Sequence, residues 1–229
     1  MKVIILAAGE GIRMRPLSLT TPKPLLMYQG KTNLDHLFKH LPEDITGCIL
    51  TVDYFAEKIK EYCKESFHGR TVRYVEGSKQ GNAFGFMKAK EFISPGERFA
   101  VAYGDEVFVG DELSRSIVPT FSWLCYETPR PQECGIAVVD EKGRIIKVLE
   151  KPENPPSNLA ADGFMVMNSD IFDYPLIPHA NGECYLSDLM NQFVQDHEVV
   201  SVLASSGHTQ LTDPSDIERL NKMSYSGGL

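Results

Sequence analysis

Val3-Ile4-Ile5-Leu6-Ala7-Ala8-Gly9-Glu10-Gly11-Ile12-Arg13-Met14-Arg15 opens the chain with an apolar run that breaks directly into two glycines. An uninterrupted apolar run of that length suits a strand covered on both faces, and glycines at its carboxyl end let backbone N–H groups approach an anion closely. Further runs of the same kind recur at Ile45–Val52, Thr71–Glu76 and Phe99–Tyr103. Between them, Asn33–Leu41 places Leu34, Leu37, Phe38 and Leu41 on one helical face, and Tyr54–Lys64 does the same with Phe55, Ile59, Tyr62 and Cys63. Alternating strands and helices imply right-handed crossovers, a mainly parallel sheet, and ligands bound at the carboxyl ends of its strands. The first part of the chain therefore reads as α/β.

The texture changes after Pro119. Thr120–Tyr126, Gly135–Asp140 and Arg144–Glu150 are strand-like, the last two joined as a hairpin by the turn Asp140-Glu141-Lys142-Gly143. Phe164–Asn168 and Val199–Ala204 add strands, and Tyr185–Gln195 reads as a helix burying Leu186, Leu189, Met190 and Phe193. Asp213-Pro214-Ser215-Asp216 supplies an N-cap and a first-turn proline for a short final helix. No linker and no repeat divides the chain, so residues 1–223 are expected to form a single domain with a small accessory layer of strands, and 224–229 a flexible tail.

Composition narrows the function classes. Of 229 residues, 42% are apolar and 24% charged, which is ordinary globular composition. With 23 Lys+Arg against 31 Asp+Glu the formal charge is -8, so no nucleic-acid footprint is visible, and a phosphate ligand would have to be met by a few placed cations. No apolar run approaches the roughly 20 residues of a membrane span, and the first residues run into glycines without a cleavage region; a soluble, cytoplasmic protein is expected. Five cysteines without a CxxC pair support neither a disulfide framework nor a zinc knuckle, and the six histidines show no ligand spacing.

The glycine loop alone is a weak signal. A dinucleotide-binding loop needs a third glycine where Met14 stands, and a P-loop needs Gly-Lys-Ser/Thr, which is absent. The segment after the loop is more specific: Pro22-Lys23-Pro24 holds a lysine between two prolines with few conformations to lose. Read together, Leu6-Ala7-Ala8-Gly9-x-Gly11-x-Arg13-Met14-x-Pro16-Leu17 and Pro22-Lys23-Pro24-Leu25 closely resemble the signature of the sugar-phosphate nucleotidylyltransferases. The resemblance continues through Gly81-Asn82-Ala83, Gly104-Asp105, Gly135, Glu150-Lys151-Pro152, Gly163, Gly182-Glu183 and Ser187-Asp188. It implies a Rossmann-like nucleotidyltransferase three-layer sandwich with a mostly parallel, mixed central sheet. No hexapeptide repeat of the kind that builds a C-terminal β-helix in longer relatives occurs in these residues.

The implied reaction explains the residue types. A sugar 1-phosphate oxygen attacks the α-phosphorus of a nucleoside triphosphate in line and pyrophosphate leaves; the nucleophile is ionised near neutral pH because the second pKa of a phosphate monoester is about 6, so no general base is required. Cations, a metal and geometry are required. On the family pattern Arg13 and Lys23 are the catalytic cations. Ala8, Gly9, Gly11, Gln80, Gly81 and Asn82 bind the nucleotide, and Arg15 is a weaker candidate on the same loop. Gly135, Glu150, Lys151, Asp162 and Glu183 take the sugar phosphate, Asn158 lies near that loop, and Asp188 orients the helix behind it.

Asp105, after a strand end and a glycine, is the expected Mg²⁺ ligand, with Glu106 beside it as a candidate outer contact. The family's second metal aspartate comes from a late segment that aligns with His208-Thr209-Gln210-Leu211-Thr212-Asp213-Pro214, where the ligand position holds Gln210. Either Gln210 coordinates through its carbonyl, or Asp213 compensates, or catalytic power is lost. Two other functions stay open at this point: a cytidylyltransferase acting on a non-sugar phosphate such as phosphocholine, and a non-catalytic nucleotide-binding regulatory homologue. The residues name neither the base, nor the sugar, nor the oligomeric state.

Overall fold

The computed structural model describes residues 1–204 and 209–223. Its strands are β1 (Lys2–Leu6), β2 (Met27–Tyr28), β3 (Lys31–Thr32), β4 (Gly47–Val52), β5 (Ser66–Phe67), β6 (Arg70–Glu76), β7 (Arg98–Tyr103), β8 (Glu106–Val107), β9 (Ser122–Glu127), β10 (Gly135–Val139), β11 (Ile145–Glu150), β12 (Leu159–Asn168), β13 (Val200–Leu203) and β14 (Thr209–Gln210). The α-helices are α1 (Asn33–His40), α2 (Ala56–Cys63), α3 (Asn82–Lys88), α4 (Glu112–Ser116), α5 (Leu186–Asp196) and α6 (Pro214–Lys222).

The central sheet runs β11-β10-β12-β7-β1-β4-β6-β5, with β9 beside β12 and β13 beside β9. The apolar runs of the first half form its parallel part: β1 pairs β4 and β7, and β4 pairs β6, all parallel. The second half is largely antiparallel, through β7–β12, β12–β10, β10–β11 and β12–β9, so the expected accessory strands continue the main sheet and the whole is mixed. Because successive strand side chains face opposite sides, β1 splits its apolar residues: Ile4 joins Phe86, Phe99, Leu189 and Phe193, while Val3 and Ile5 join Leu34, Leu37, Phe38 and Ile59. Helices therefore cover both faces, giving three layers. The outer edge, β11, is closed by α5, whose Asn191 side chain bonds both Val148 N–H (2.7 Å) and Val148 C=O (3.0 Å) and whose Gln195 Nε2 donates to Ile146 C=O.

Several elements depart from the sequence reading, including the added helix α4 and the short strands β2, β3, β5, β8 and β14. The strand expected at Phe164–Asn168 begins earlier, at Leu159, because Asp162-Gly163 stays extended across a register shift between Ala161 and Met165. Helix α3 is an addition to the expected helices; its Gly85 is needed because a Cβ there would lie 3.2 Å from the Gly77 backbone. Helix α2 is shorter than Tyr54–Lys64, because Phe55 and Lys64 both take positive φ at its ends. His208 and the tail Ser224–Leu229 lie outside the described residues.

Helix α1 is built to hold the end of β7. A capping box joins Thr32 and Asp35, and the Asp35 carboxylate also accepts from Tyr62 and His68. Its first residue, Asn33, is fully buried: Nδ2 donates to Gly104 C=O (2.9 Å) and Glu106 C=O (3.2 Å), and Oδ1 accepts from Tyr28. Asn33→Ala leaves two buried carbonyls and a hydroxyl without these partners and is expected to cost about 3 kcal/mol, read as a shift in urea midpoint at unchanged slope. Burial would raise the Asp35 carboxyl, but hydrogen bonds from His68, Tyr62 and Thr32 outweigh it and hold Asp35 at about 2, below its ordinary 3.8. Its stabilisation is thus complete above pH 3.8 and lost as pH falls toward 2. Asp35→Ala should destabilise by about 1–2 kcal/mol at pH 7, with the gap to wild type narrowing in unfolding curves taken through that acid window.

Candidate active site

The carboxyl ends of β1 and β7 lie side by side, Leu6 in register with Tyr103, and the loops that leave them face one another across a cleft of about 670 Å³. Its walls include Ala8–Arg13, Lys23, Asp53, Ser78, Gly81, Asn82, Tyr103, Asp105, Glu183, Tyr185 and Gln210. A cleft of this size suits a nucleotide-sized ligand.

The glycine loop is pinned from below by Met14, fully buried in a small cluster with Leu26, Tyr28, Val107, Leu211 and Leu220. Gly11 is left-handed (φ 63°) and its missing side chain leaves room for Lys23, whose Cβ would lie 3.3 Å from a Cβ at position 11. Ser18 Oγ closes the loop by donating to Gly11 C=O at 2.7 Å. Between Pro22 and Pro24, Lys23 enters a single 3₁₀ turn and buries all but 9% of its surface. Its ammonium meets Asp105 Oδ2 at 2.6 Å, an ion pair spanning 82 residues of sequence. A buried ammonium requires such a partner, and the pair sets the loop's height above the sheet. Arg13 is exposed on the cleft wall; Arg15 is exposed outside it.

Behind Asp105 lies a second acidic pair. Glu106 is 4% exposed and packed against Gly163, where a Cβ would come within 2.6 Å of its Cγ. Burial, and then the nearby carboxylates of Asp162 and Asp105, push the Glu106 carboxyl well above its ordinary range, and Glu106 shares a hydrogen bond with Asp162. The short ladder β8–β14 brings Gln210 opposite Glu106, and Gln210 Nε2 stands 2.9 Å from Glu106 Oε1 and 3.5 Å from Asp105 Oδ2.

The expected residues separate into those the cleft collects and those it does not. Ala8, Gly9, Gly11, Arg13, Lys23, Gly81, Asn82, Asp105, Glu183 and Gln210 line it. Gly81 (φ 103°) abuts Cys184, whose carbonyl would lie 2.2 Å from a Cβ there. The Asn82 side chain is turned to the start of α5, its Oδ1 accepting from Leu186 N–H, and reaches the Tyr103 hydroxyl at 3.4 Å. Gln80 is exposed outside the cleft wall, and its carbonyl accepts from Cys184 N–H. Asp162 is turned inward to Glu106, with its main-chain carbonyl taken by the Trp123 indole, so it offers no carboxylate to the cleft.

Asp213 is likewise elsewhere: it caps α6, accepting from Ser215 N–H (2.8 Å) and Oγ (2.6 Å). Those bonds hold its carboxyl below the ordinary value. Asp188 pairs with His179 Nε2 at 2.7 Å instead of capping α5. Asn158 serves through its carbonyl, which accepts from Thr128 N–H.

Gly135, Glu150 and Lys151 form a separate rim. Gly135 is in register with Glu150, the Glu150 and Lys151 side chains are largely exposed and 3.8 Å apart, and Lys151 takes a left-handed φ of 42°. The Glu150 charge is felt weakly at Tyr103 and Tyr185, both in the cleft wall. Tyr185 also donates to Glu183, a bond that raises its phenol and fixes the Glu183 carboxylate. Thr51, Asp53, Ser78, Tyr103 and Tyr185 line the cleft without having been expected, because each carries a residue type too common to signal a site.

Among the described residues no three His, Cys, Asp or Glu side chains converge as a metal cage. The Asp105 carboxylate and the Gln210 amide, both on the cleft wall, fit a hard cation that takes one or two protein oxygens and completes its shell with phosphates and water, the ordinary habit of Mg²⁺. No described helix is long and apolar enough to cross a membrane.

The chain is 30% identical over 226 residues to the bifunctional protein GlmU of Methanocaldococcus jannaschii, a match covering 97% of the chain and 54% of that protein; it spans about half the length of the first curated relatives it matches. It is 27% identical to the UTP–glucose-1-phosphate uridylyltransferase AglF of Haloferax volcanii, covering 90% of the chain and 89% of that protein. A crystal structure of UDP-glucose pyrophosphorylase complexed with UDP-glucose superposes with a TM-score of 0.85 over 96% of both chains at 18% identity, a likeness of fold. The nucleotidyl transferase family model matches residues 2–208, and the chain belongs to that family.

Proposed function

We propose that the chain transfers a nucleoside monophosphate from a nucleoside triphosphate to a sugar 1-phosphate, releasing pyrophosphate, and that residues 1–223 act as one nucleotidyltransferase unit. The observation that carries this reading is the Lys23 ammonium, buried and fixed at 2.6 Å on Asp105 beneath a glycine loop at the carboxyl end of β1. The uridylyltransferase AglF, matched over nearly its whole length, supports the sugar 1-phosphate as acceptor.

In the proposed reaction the sugar phosphate oxygen forms a bond to the α-phosphorus as the bond from that phosphorus to the β-phosphate oxygen breaks, and pyrophosphate departs with the electron pair. The Gly9–Ile12 amides receive the outer phosphates. Arg13 closes on them from the exposed side, and Lys23 stands where charge grows on the α-phosphoryl and leaving oxygens. Ala8, Gly81 and Asn82 bound the base end, while Glu183, Tyr185 and the Glu150–Lys151 rim hold the sugar. Asp105 and the Gln210 carbonyl would hold Mg²⁺, which when bound offsets the mutual repulsion of the phosphates. The five cysteines are free, and burial lifts the Cys48 and Cys63 thiols to about 12, which suits a reducing cytoplasm.

The test is a matrix of the four ribonucleoside triphosphates and dTTP against sugar 1-phosphates and phosphocholine, read by pyrophosphate release; one sugar row should dominate, and no release anywhere refutes the reading. In the active pair, Lys23→Ala and Arg13→Ala should each lower turnover at least about a hundredfold with unfolding curves unchanged in shape. Gln210→Asp should lower the Mg²⁺ concentration giving half-maximal rate, because a carboxylate replaces a neutral ligand. Asp213→Ala should leave that concentration unchanged and lower the urea midpoint through loss of the α6 cap.

A further inference from the structure

Gln210 presents a problem that Glu106 resolves. An amide has an acceptor branch and a donor branch, and only the acceptor serves a cation. Left beside Asp105 alone, the Gln210 NH₂ would turn to that carboxylate, whose Oδ2 already takes Lys23 at 2.6 Å, and add a second donor where a metal needs an acceptor. The structure supplies a second acceptor. Glu106 Oε1 takes Nε2 at 2.9 Å, a closer partner than Asp105 Oδ2 at 3.5 Å, and leaves Gln210 Oε1 as the branch free for the cleft.

Glu106 cannot follow Gln210 into the cleft. It is 4% exposed, absent from the cleft wall, joined to Asp162 on its far side, and seated in space that only a glycine at 163 leaves open, since a Cβ there would lie 2.9 Å from Oε1. The backbone fixes the meeting as well: Gln210 pairs with Glu106 across the β8–β14 ladder, and Leu211 N–H donates to Asp105 C=O at 2.9 Å. We propose that Glu106 is a positioning residue, whose Oε1 holds the Gln210 NH₂ so that the amide carbonyl faces the cation site beside Asp105. This rests on the proposed nucleotidyl transfer only in taking that site to be a metal site. It assigns Glu106 a role distinct from ligation: the carboxyl group needed to make an amide useful stands one strand behind it.

The experiment follows binding of Mn²⁺ alone to the full chain by electron paramagnetic resonance. Glu106→Met, which keeps volume and removes the acceptor, should weaken binding about tenfold, the order seen when an outer partner of a metal ligand is lost. Glu106→Gln, whose own carbonyl can accept from Gln210 while its NH₂ faces Asp162, should stay within about threefold of wild type. In a Gln210→Asp background Glu106→Met should have no effect, because both carboxylate oxygens are acceptors and need no orientation.

Wild-type affinity in a folded Glu106→Met, or an equal loss in the Gln210→Asp background, overturns the proposal. If Glu106→Met does not fold, Gly163→Ala displaces the same carboxyl while leaving its chemistry intact; it should weaken Mn²⁺ binding in wild type and not in Gln210→Asp, and unchanged binding overturns the proposal. Failure of the broader reading looks different: no pyrophosphate release from any pair, and Mn²⁺ binding indifferent to Asp105→Asn, a result that removes both.

Discussion

The contact between Lys23 and Asp105 ties together the two halves of the cleft. Lys23 arrives on a loop that leaves β1, Asp105 on the turn that leaves β7, and those strands are parallel neighbours. The Lys23 ammonium is held away from bulk water while Asp105 is half-buried, so the cation depends on the carboxylate while no phosphate is bound. The pairing has a catalytic merit: the cation is already at its post, in a 3₁₀ turn flanked by prolines, and little reorganisation accompanies the arrival of the anionic substrates.

What keeps the two loops in register is mostly apolar and remote in sequence. Met14 from the glycine loop, Leu26 and Tyr28 from the turn beyond Lys23, Val107 beside Glu106, and Leu211 and Leu220 from the last segment form one small cluster under the cleft. Gln29 fastens the same corner, its N–H to Asn221 and its side chain to the carbonyls of Leu220 and Met223. The final helix and its Asp213 cap therefore belong to the support of the phosphate loop although they contribute no group to it. Asn33 does the equivalent work on the other side by satisfying the carbonyls of Gly104 and Glu106.

Legibility in the sequence depends on range. The parallel half of the sheet is readable because β1, β4 and β7, covered on both faces, are nearly continuous apolar runs, while β6 nearer the edge alternates buried and exposed residues; the chemistry-bearing loop is readable because Gly9, Gly11, Arg13 and Lys23 are close in sequence and chemically unusual together. Residues whose meaning is a distant partner are opaque. Asn33 reads as the first position of a helix, Gly85 weakens the case for α3 until Gly77 is seen packed against it, and Asp162-Gly163 reads as a turn because its reason for staying extended is Glu106. Asp213 and Asp162 share one ambiguity, since a carboxylate near a site in sequence is attractive as a ligand: for Asp213 the N-cap pattern competes with that reading in the sequence itself, and for Asp162 only the structure shows that a second acid has claimed it.

The neutral residue at 210 makes sense in the same terms. Asp105, Glu106 and Asp162 gather at and behind one wall of the cleft, with Lys23 the cation paired there, and burial together with the neighbouring carboxylates raises the Glu106 carboxyl well above its ordinary range. A fourth carboxylate would either raise another pKa in the group or draw Lys23 away from its place toward a second partner. An amide avoids both while still presenting an oxygen, and its NH₂ adds a donor to a region otherwise rich in acceptors. The departure at Gln210 and the unusual burial of Glu106 are therefore one feature: the acidic residue at 106 is tolerated because 210 is neutral, and the amide at 210 is usable because 106 can accept from it.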